Sequence, residues 1–406
     1  MQPRRVAVTG VGVISALGRD RCEFWRALSA GQSGIAPIQA VDCAPLNFSN
    51  GAEARSYTAA EHFTRQKGEM MDRFAQLGVV AAREAVASAG VEWTEELRER
   101  TAVVTGSCVG GQDTLDRGFG ELYRDGRTRL HPLTVPRVMA SAGASHISME
   151  FGTTGPSYTV SSACASATHA LGQAFWMVRQ GLTDLAIAGG SEAPFSFGHL
   201  KAWDAIRAVA PDTCRPFSRD RKGMILGEGG AMLVLEEWEH AEARGATIIA
   251  EVVGFGMSAD AQHLTAPSVE GASRAVRAAL RDAEIDPERI GYINAHGTGT
   301  GANDPMEAAT IRAVFGAHAD RLAVSSTKSM HGHALGASGG LEAAATVLAL
   351  QHGIIPPTAN FTEADPECDL DVVPNEARHA AVEYALSNSF AFGGLNAVLA
   401  FHCAQA

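Results

Sequence analysis

Short apolar or alternating runs are interleaved along the whole chain with longer stretches of helical spacing. That is the pattern of an α/β protein. Near the start, Val6 and Val8 alternate with smaller residues before Gly10 and Gly12, which predicts a strand and turn instead of the apolar core of a secretion leader. Tyr158-Thr159-Val160 predicts a second, short strand. The stretch from Ala165 to Arg179 is nearly apolar all round, with Ala170, Leu171, Ala174, Phe175, Trp176, Met177 and Val178, as in a helix buried on every side. A boundary falls near Arg244-Gly245, where a helical segment Glu236 to His240 ends and a strand, Ile248 to Val253, begins.

The parts on either side of that boundary are alike. The first closes with Asp184 to Ala188 and then Gly229 to Leu235; the second closes with Tyr384 to Ser387 and then Gly393 to Leu399. Cys164 also precedes Gly181 by the same interval as Gly336 precedes Gly353. The expectation is a duplicated α/β chain with halves 1–245 and 246–406, each offering one buried helix whose N-terminus faces a shared site.

Composition narrows the functions. At 406 residues and 46% hydrophobic, the chain can form two ordinary domains or one large duplicated one. No apolar stretch reaches membrane-spanning length without Gly, Pro or charge. A net charge of -12 argues against general binding of nucleic acid or membrane surface, although an acidic protein could still meet a local basic patch. The cysteines (Cys22, Cys43, Cys108, Cys164, Cys214, Cys368, Cys403) are scattered with no Cys-x-x-Cys pair, so neither a disulfide framework nor a zinc site is expected, and a reducing cytoplasm fits. Gly10-Val11-Gly12 and Gly227-Glu228-Gly229-Gly230 lack the spacing of a nucleotide-binding loop.

The candidate chemistry centres on Cys164. It stands in Ser161-Ser162-Ala163-Cys164-Ala165-Ser166-Ala167, where small neighbours would let a bulky thioester reach sulfur. Its place at the N-terminus of a buried helix predicts a lowered thiol pKa. Two histidines follow in Gly- and Thr-rich settings, His296 in Asn294-Ala295-His296-Gly297-Thr298-Gly299-Thr300 and His333 in Lys328-Ser329-Met330-His331-Gly332-His333. Together they read as a thiol nucleophile with a two-histidine site.

These segments, with Asn388-Ser389-Phe390-Ala391-Phe392-Gly393-Gly394, Val8 to Gly12 and Arg215-Pro216-Phe217 through Gly230, closely resemble the long-chain elongating β-ketoacyl-acyl-carrier-protein synthases. The resemblance takes in nodulation protein E and type II polyketide ketosynthases, and it covers essentially the whole chain. It implies a duplicated thiolase-like fold stacked in five layers, αβαβα. It also implies that Cys164 carries the acyl group and that His296 and His333 donate hydrogen bonds to the enolate formed as carbon dioxide leaves. Lys328 and Glu342 are expected as a buried ion pair, Asp304 and Glu307 as loop supports, and Thr298 and Thr300 as contacts for the phosphopantetheine arm. Phe392 is expected as the gate, its amide forming an oxyanion hole with that of Cys164.

Val109 corresponds to a position that limits acyl-pocket depth, and Thr134 to one that closes the pocket from a partner subunit. His331, where threonine is commoner, is taken as supporting His333; Leu395 also stands where threonine is common. Carrier-facing bases would be Lys67, Arg127, Arg129, Lys201 and Arg207, with Glu69 and Met70 at places that are often basic. No metal or redox cofactor is implied, since substrates ride on acyl carrier protein. The expected assembly is a homodimer, or a heterodimer with a chain-length-factor subunit. A thiolase would want a second cysteine in a Gly-rich C-terminal loop, a chain-initiating synthase an asparagine at His333, and a non-catalytic chain-length partner would lack Cys164.

Overall fold

The protein is described by a computed structural model covering residues 3–404. Its main sheet has ten strands: β1 (Val6–Ser15), β2 (Thr101–Gly106), β3 (Ser157–Val160), β4 (Leu185–Glu192), β5 (Gly229–Glu237), β6 (Ala250–Ala259), β7 (Ile290–Asn294), β8 (Ala323–Ser325), β9 (Tyr384–Ala391) and β10 (Leu395–Cys403). The helices that matter for the site are α1 (Arg73–Ala89), α2 (Ser166–Arg179), α3 (Phe197–Ile206), α4 (Val269–Asp282), α5 (Asn303–Phe315) and α6 (Ser338–His352).

The strand order is β8-β7-β9-β10-β6-β1-β5-β4-β2-β3. Read outward from the β1–β6 junction, each half runs first, fifth, fourth, second, third. Parallel and antiparallel pairings also repeat: β4–β2–β3 and β9–β7–β8 are parallel, while β5 and β10 are antiparallel to both neighbours. The duplication suggested by sequence is thus a duplication of topology. The halves are joined through three residue pairs, Val6, Ala7 and Val8 against Val252, Glu251 and Ala250.

Strand periodicity explains the layers, because successive side chains point to opposite faces. In the first half Val103, Leu185, Ile187, Met232 and Val234 face α1 in an outer core. Their neighbours Ala102, Val104, Ala186, Ala188, Leu233 and Leu235 face inward, in one core with α2, α6 and strand residues of the second half such as Tyr292, Ala385 and Leu399. The other faces of the second-half strands pack on α4 and α5. Helix, sheet, paired central helices, sheet and helix give the αβαβα stack. All of α6 from Ser338 to Leu350 is buried, as a helix enclosed by two sheets must be.

Two local expectations change. Gly10 and Gly12 do not turn the chain; β1 runs straight through them, with a register shift between Val8 and Gly10. Any side chain there would strike the carbonyls of Ala85 and Ala81, so glycine serves the close approach of α1 to β1. Glu236 and Glu237 end β5 and are not helical, the helix starting at Trp238. Glu236 is fully buried against Arg244, His240 and Thr9, which a surface helix would not have required.

Candidate active site

The chemistry gathers where parallel strands end. β3, β7, β8 and β9 stop just before Cys164, His296, the Lys328–His333 segment and Phe392 respectively. In open α/β sheets the crevice beyond the carboxyl ends of such strands is the usual ligand site. Cys164 lies in a tight turn between β3 and α2, with Ala163 at φ 49°. A residue other than glycine rarely adopts this left-handed conformation, so the turn that presents the sulfur is strained.

The sulfur of Cys164 and one ring nitrogen each of His296 and His333 lie within 4.8 Å of one another. The histidine rings meet edge-on, centroids 5.5 Å apart. Nδ1 of His333 accepts the backbone N–H of Leu335 at 3.0 Å and meets the Ser338 hydroxyl at 2.8 Å. Nδ1 of His296 meets the Lys328 ammonium at 3.2 Å. An amide and an ammonium can only donate, so both Nδ1 atoms are bare. Burial, reinforced for both rings by the Lys328 charge, holds the two pKa values well below the ordinary value. Each ring is therefore neutral, with its proton on Nε2, the nitrogen left to face Cys164.

A cysteine and two histidines could ligate a thiophilic ion, but two protonated nitrogens beside an ammonium suit an anion better than a cation. Lys328 is fully buried, paired with fully buried Glu342, and also donates to the His296 carbonyl at 2.6 Å. Burial pushes the Glu342 carboxyl up to about 7 against the pull of Lys328.

Glu307 accepts the amides of His296 (2.8 Å) and Gly297 (2.7 Å), and Asp304 those of Phe217 (2.8 Å) and Gly299 (3.1 Å). Two acids on the first turns of α5 thus hold the His296 loop. The second loop is strapped by the glycine-rich segment before β5, with His333 N–H donating to Ile225 O (2.6 Å) and Gly227 N–H to His333 O (2.8 Å). His331 spends both ring nitrogens on Gly332 O (2.7 Å) and Thr327 Oγ1 (2.9 Å), fully buried, so it supports the loop.

One expectation is reversed. The Cys164 thiol is raised, to about 11, burial outweighing Lys328 and the amides of Phe392 and Cys164 itself. Local carbonyls take amides at the helix start: Ala165 N–H donates to Ser162 O (3.1 Å) and Ser166 N–H to Ala163 O (3.2 Å). The resting group is a thiol.

Cys164, His296, His333, Thr298, Thr300 and Phe392 line one cavity of about 280 Å³. Sequence motifs assign no role to several other walls of it, among them Trp203, Met224, His263, Leu264 and Phe390. Gly393 N–H donates to Leu264 O (2.7 Å) and Asp260 N–H to Gly394 O (2.9 Å), so the Phe392 loop is buckled to residues 260–268. Buried Glu192 was missed too; it accepts Ser107 Oγ (2.8 Å), Cys108 N–H (2.7 Å) and Gly336 N–H (3.2 Å), binding one half to the other. Its only sequence signal was an acid in a strand otherwise without charge.

Val109 and Thr134 do not line this cavity. The Val109 amide turns toward Glu192, and Thr134 lies in a short surface helix with its hydroxyl on His131 O. Of the suggested docking bases, Lys67 pairs with Glu150, Arg127 with Glu121 and Lys201 with Asp204; Arg129 and Arg207 are exposed. A larger open cleft of about 1040 Å³, edged by Glu53, Arg73 and Phe119, holds none of the catalytic candidates.

Two family models match in tandem, Beta-ketoacyl synthase, N-terminal domain, over residues 3–241 and Beta-ketoacyl synthase, C-terminal domain, over residues 249–362. The chain belongs to the β-ketoacyl synthase family. Among curated relatives it is 50% identical to "Nodulation protein E" of Rhizobium sp. (strain N33), over 98% of this chain and 99% of that one. It is 41% identical to "3-oxoacyl-[acyl-carrier-protein] synthase 2" of Staphylococcus aureus (strain COL), over 98% of each. Among solved structures "The ishigamide ketosynthase/chain length factor" superposes with a TM-score of 0.93 at 40% identity, covering 98% of this chain and 99% of that one. As a β-ketoacyl synthase, the protein is an acyltransferase of the condensing type with a thiolase-like fold.

Proposed function

We propose that the protein elongates an acyl chain by decarboxylative condensation with malonyl-acyl-carrier protein, in fatty acid or reducing polyketide or polyene synthesis. Acyl-carrier protein delivers a thioester to Cys164; the new C–S bond forms as the carrier's own C–S bond breaks, and the proton of Cys164 leaves with the carrier thiol. The tetrahedral oxygen sits on the amides of Cys164 and Phe392. Malonyl-carrier protein then enters along Thr298 and Thr300. Its carboxylate departs as carbon dioxide, the electron pair passing into an enolate held by His296 and His333. The enolate carbon attacks the Cys164 thioester, the C–S bond breaks, the sulfur takes up a proton from water to return as the thiol, and a 3-oxoacyl chain two carbons longer leaves on the carrier.

The observation that carries this reading is the convergence of two obligate Nε2–H donors on one thiol, an oxyanion site facing a nucleophile. Lys328 with Glu342, and Asp304 with Glu307, keep those donors in place. No metal or redox cofactor enters the steps. Val109 and Thr134 are assigned to the deep end of the acyl channel, Thr134 in a neighbouring subunit. Residues 1–245 carry the nucleophile and 246–406 the histidines. Partners are acyl carrier protein and a second subunit, identical or of the chain-length-factor kind; a reducing cytoplasm suits the scattered cysteines. Against a thiolase, Cys403 lies at the far end of β10 with its sulfur on Leu350 O. Incubation with acyl- and malonyl-carrier proteins should give one carbon dioxide per extended 3-oxoacyl product, read by mass; malonyl loss without a longer chain would overturn the reading.

A further inference from the structure

The Phe392 ring rests against a second aromatic, Trp203 of α3. Their centroids are 6.0 Å apart and their planes 24° apart, and both rings line the cavity that holds Cys164. The Phe392 ring, unlike the backbone of its loop, has little else to fix it. Phe392 is 37% exposed and is followed by Gly393 and Gly394 at φ 83° and 67°, a left-handed backbone that glycine adopts at no steric cost. Trp203 is held. Its indole N–H donates to Nε2 of His199 at 2.9 Å, one turn earlier on the same helix, and its ring packs in a cluster with Leu200, Met224, Leu226 and Leu335. Burial holds His199 down to about 4, with Asp116 acting the other way, so Nε2 stays free to accept.

The Phe392 amide faces the Cys164 sulfur. Backbone bonds from Gly393 to Leu264 and from Asp260 to Gly394 anchor the loop just after Phe392; the ring itself is placed by packing, and preorganisation of the N–H donor it carries is what an oxyanion site requires. An offset-stacked partner that cannot turn selects one ring position among many.

We propose that Trp203, braced by His199, is the seat of the Phe392 loop: a positioning residue that holds the Phe392 N–H at the oxyanion position for acyl transfer. This rests on the role given to Phe392 under Proposed function. The seat serves the steps at the Cys164 thioester carbonyl. Malonyl decarboxylation, which uses His296 and His333, does not depend on it.

The test separates the half-reactions with acyl-carrier protein (acylation of Cys164, by intact mass) and malonyl-carrier protein (carbon dioxide release). Trp203→Ala should lower kcat for acylation about tenfold, the upper end for an aromatic pair, and carbon dioxide release by much less. His199→Ala, which keeps the indole and the packing around it, should cost about threefold, and His199→Gln, whose amide oxygen can accept the indole N–H, should restore the rate. In a Phe392→Ala background Trp203→Ala should add nothing, since the two act as a unit. Equal loss in both half-reactions, no difference between His199→Ala and His199→Gln, or the same Trp203→Ala loss with and without the Phe392 ring would each overturn the seat. Phe392→Ala with both half-reactions at full rate would overturn the role of Phe392 itself, and the seat with it; a costly Phe392→Ala beside an inert Trp203→Ala would overturn the seat alone.

Discussion

The proton on each imidazole proposed to hold the enolate is set by what the opposite nitrogen meets: for His333 a backbone N–H, for His296 an ammonium. His331, two residues from His333, has both nitrogens spent within its own turn. His333→Ala should therefore slow carbon dioxide release on the order of 100-fold, the usual effect of losing one oxyanion donor, while acylation of Cys164 persists. His331→Ala should do less to that step; the reverse order, measured with malonyl-carrier protein, would mean the wrong histidine is assigned. Cys164→Ala should abolish covalent acylation by intact mass, and persistent acylation would point to another nucleophile. Because burial raises the Cys164 thiol to about 11, its thiolate fraction is small at neutral pH and grows about tenfold per pH unit up to that value. Carbamidomethylation of Cys164 by iodoacetamide should rise steadily from about pH 7 to about pH 10; levelling off near about pH 9 would show an ordinary pKa, and a plateau already at about pH 7 a lowered one.

Elements act on the site through how closely the central helices approach. Gly339, in the first turn of α6, faces Thr168 in the first turn of α2 so tightly that a methyl group would overlap Thr168 Oγ1. The two helix starts bear on the Cys164 turn and, through Ser338, on His333. Gly339→Ala should destabilise the fold by about 1–3 kcal/mol, the usual cost of overpacking a filled core. It should also reduce condensation more than Gly120→Ala, a helical glycine whose added methyl group would meet nothing nearer than the end of the Arg124 side chain at 3.8 Å. An unchanged thermal midpoint would show that the helices have room to part.

Among the described residues of the whole molecule, β3 is paired only on its β2 side, and Tyr158 on it is 37% exposed, with Met149 at 64%, Val135 at 70% and Met139 at 45% among the other exposed apolar residues. An open apolar sheet edge invites pairing with another chain. Tyr158→Asp should convert a two-subunit particle to a monomer by sedimentation, with loss of long-chain condensation if Thr134 reaches a neighbour's pocket. A wild-type chain that sediments as a monomer would refute the assembly.

Much of this was legible in the chain itself. Periodicity announced α/β halves and a helix after Cys164, because strand and helix spacing are written in consecutive residues; the helix expected to be buried all round keeps His169, Gln173, Trp176 and Met177 only half-buried. Cys164, His296 and His333 were legible because each sits among small residues that are themselves a local signal, whereas Lys328 and Phe392 were picked out by the family resemblance. What depended on contacts between distant segments was not legible. Burial summed over both halves raised the Cys164 thiol that its helix N-terminus seemed to lower. The packing of α1 turned Gly10 and Gly12 from a turn into straight strand. Glu192 and the Trp203–His199 pair gained their meaning only where separate elements meet. Local spacing fixes what a segment can be, whereas desolvation and close approach are properties of the folded whole, and the tertiary structure alone decided them.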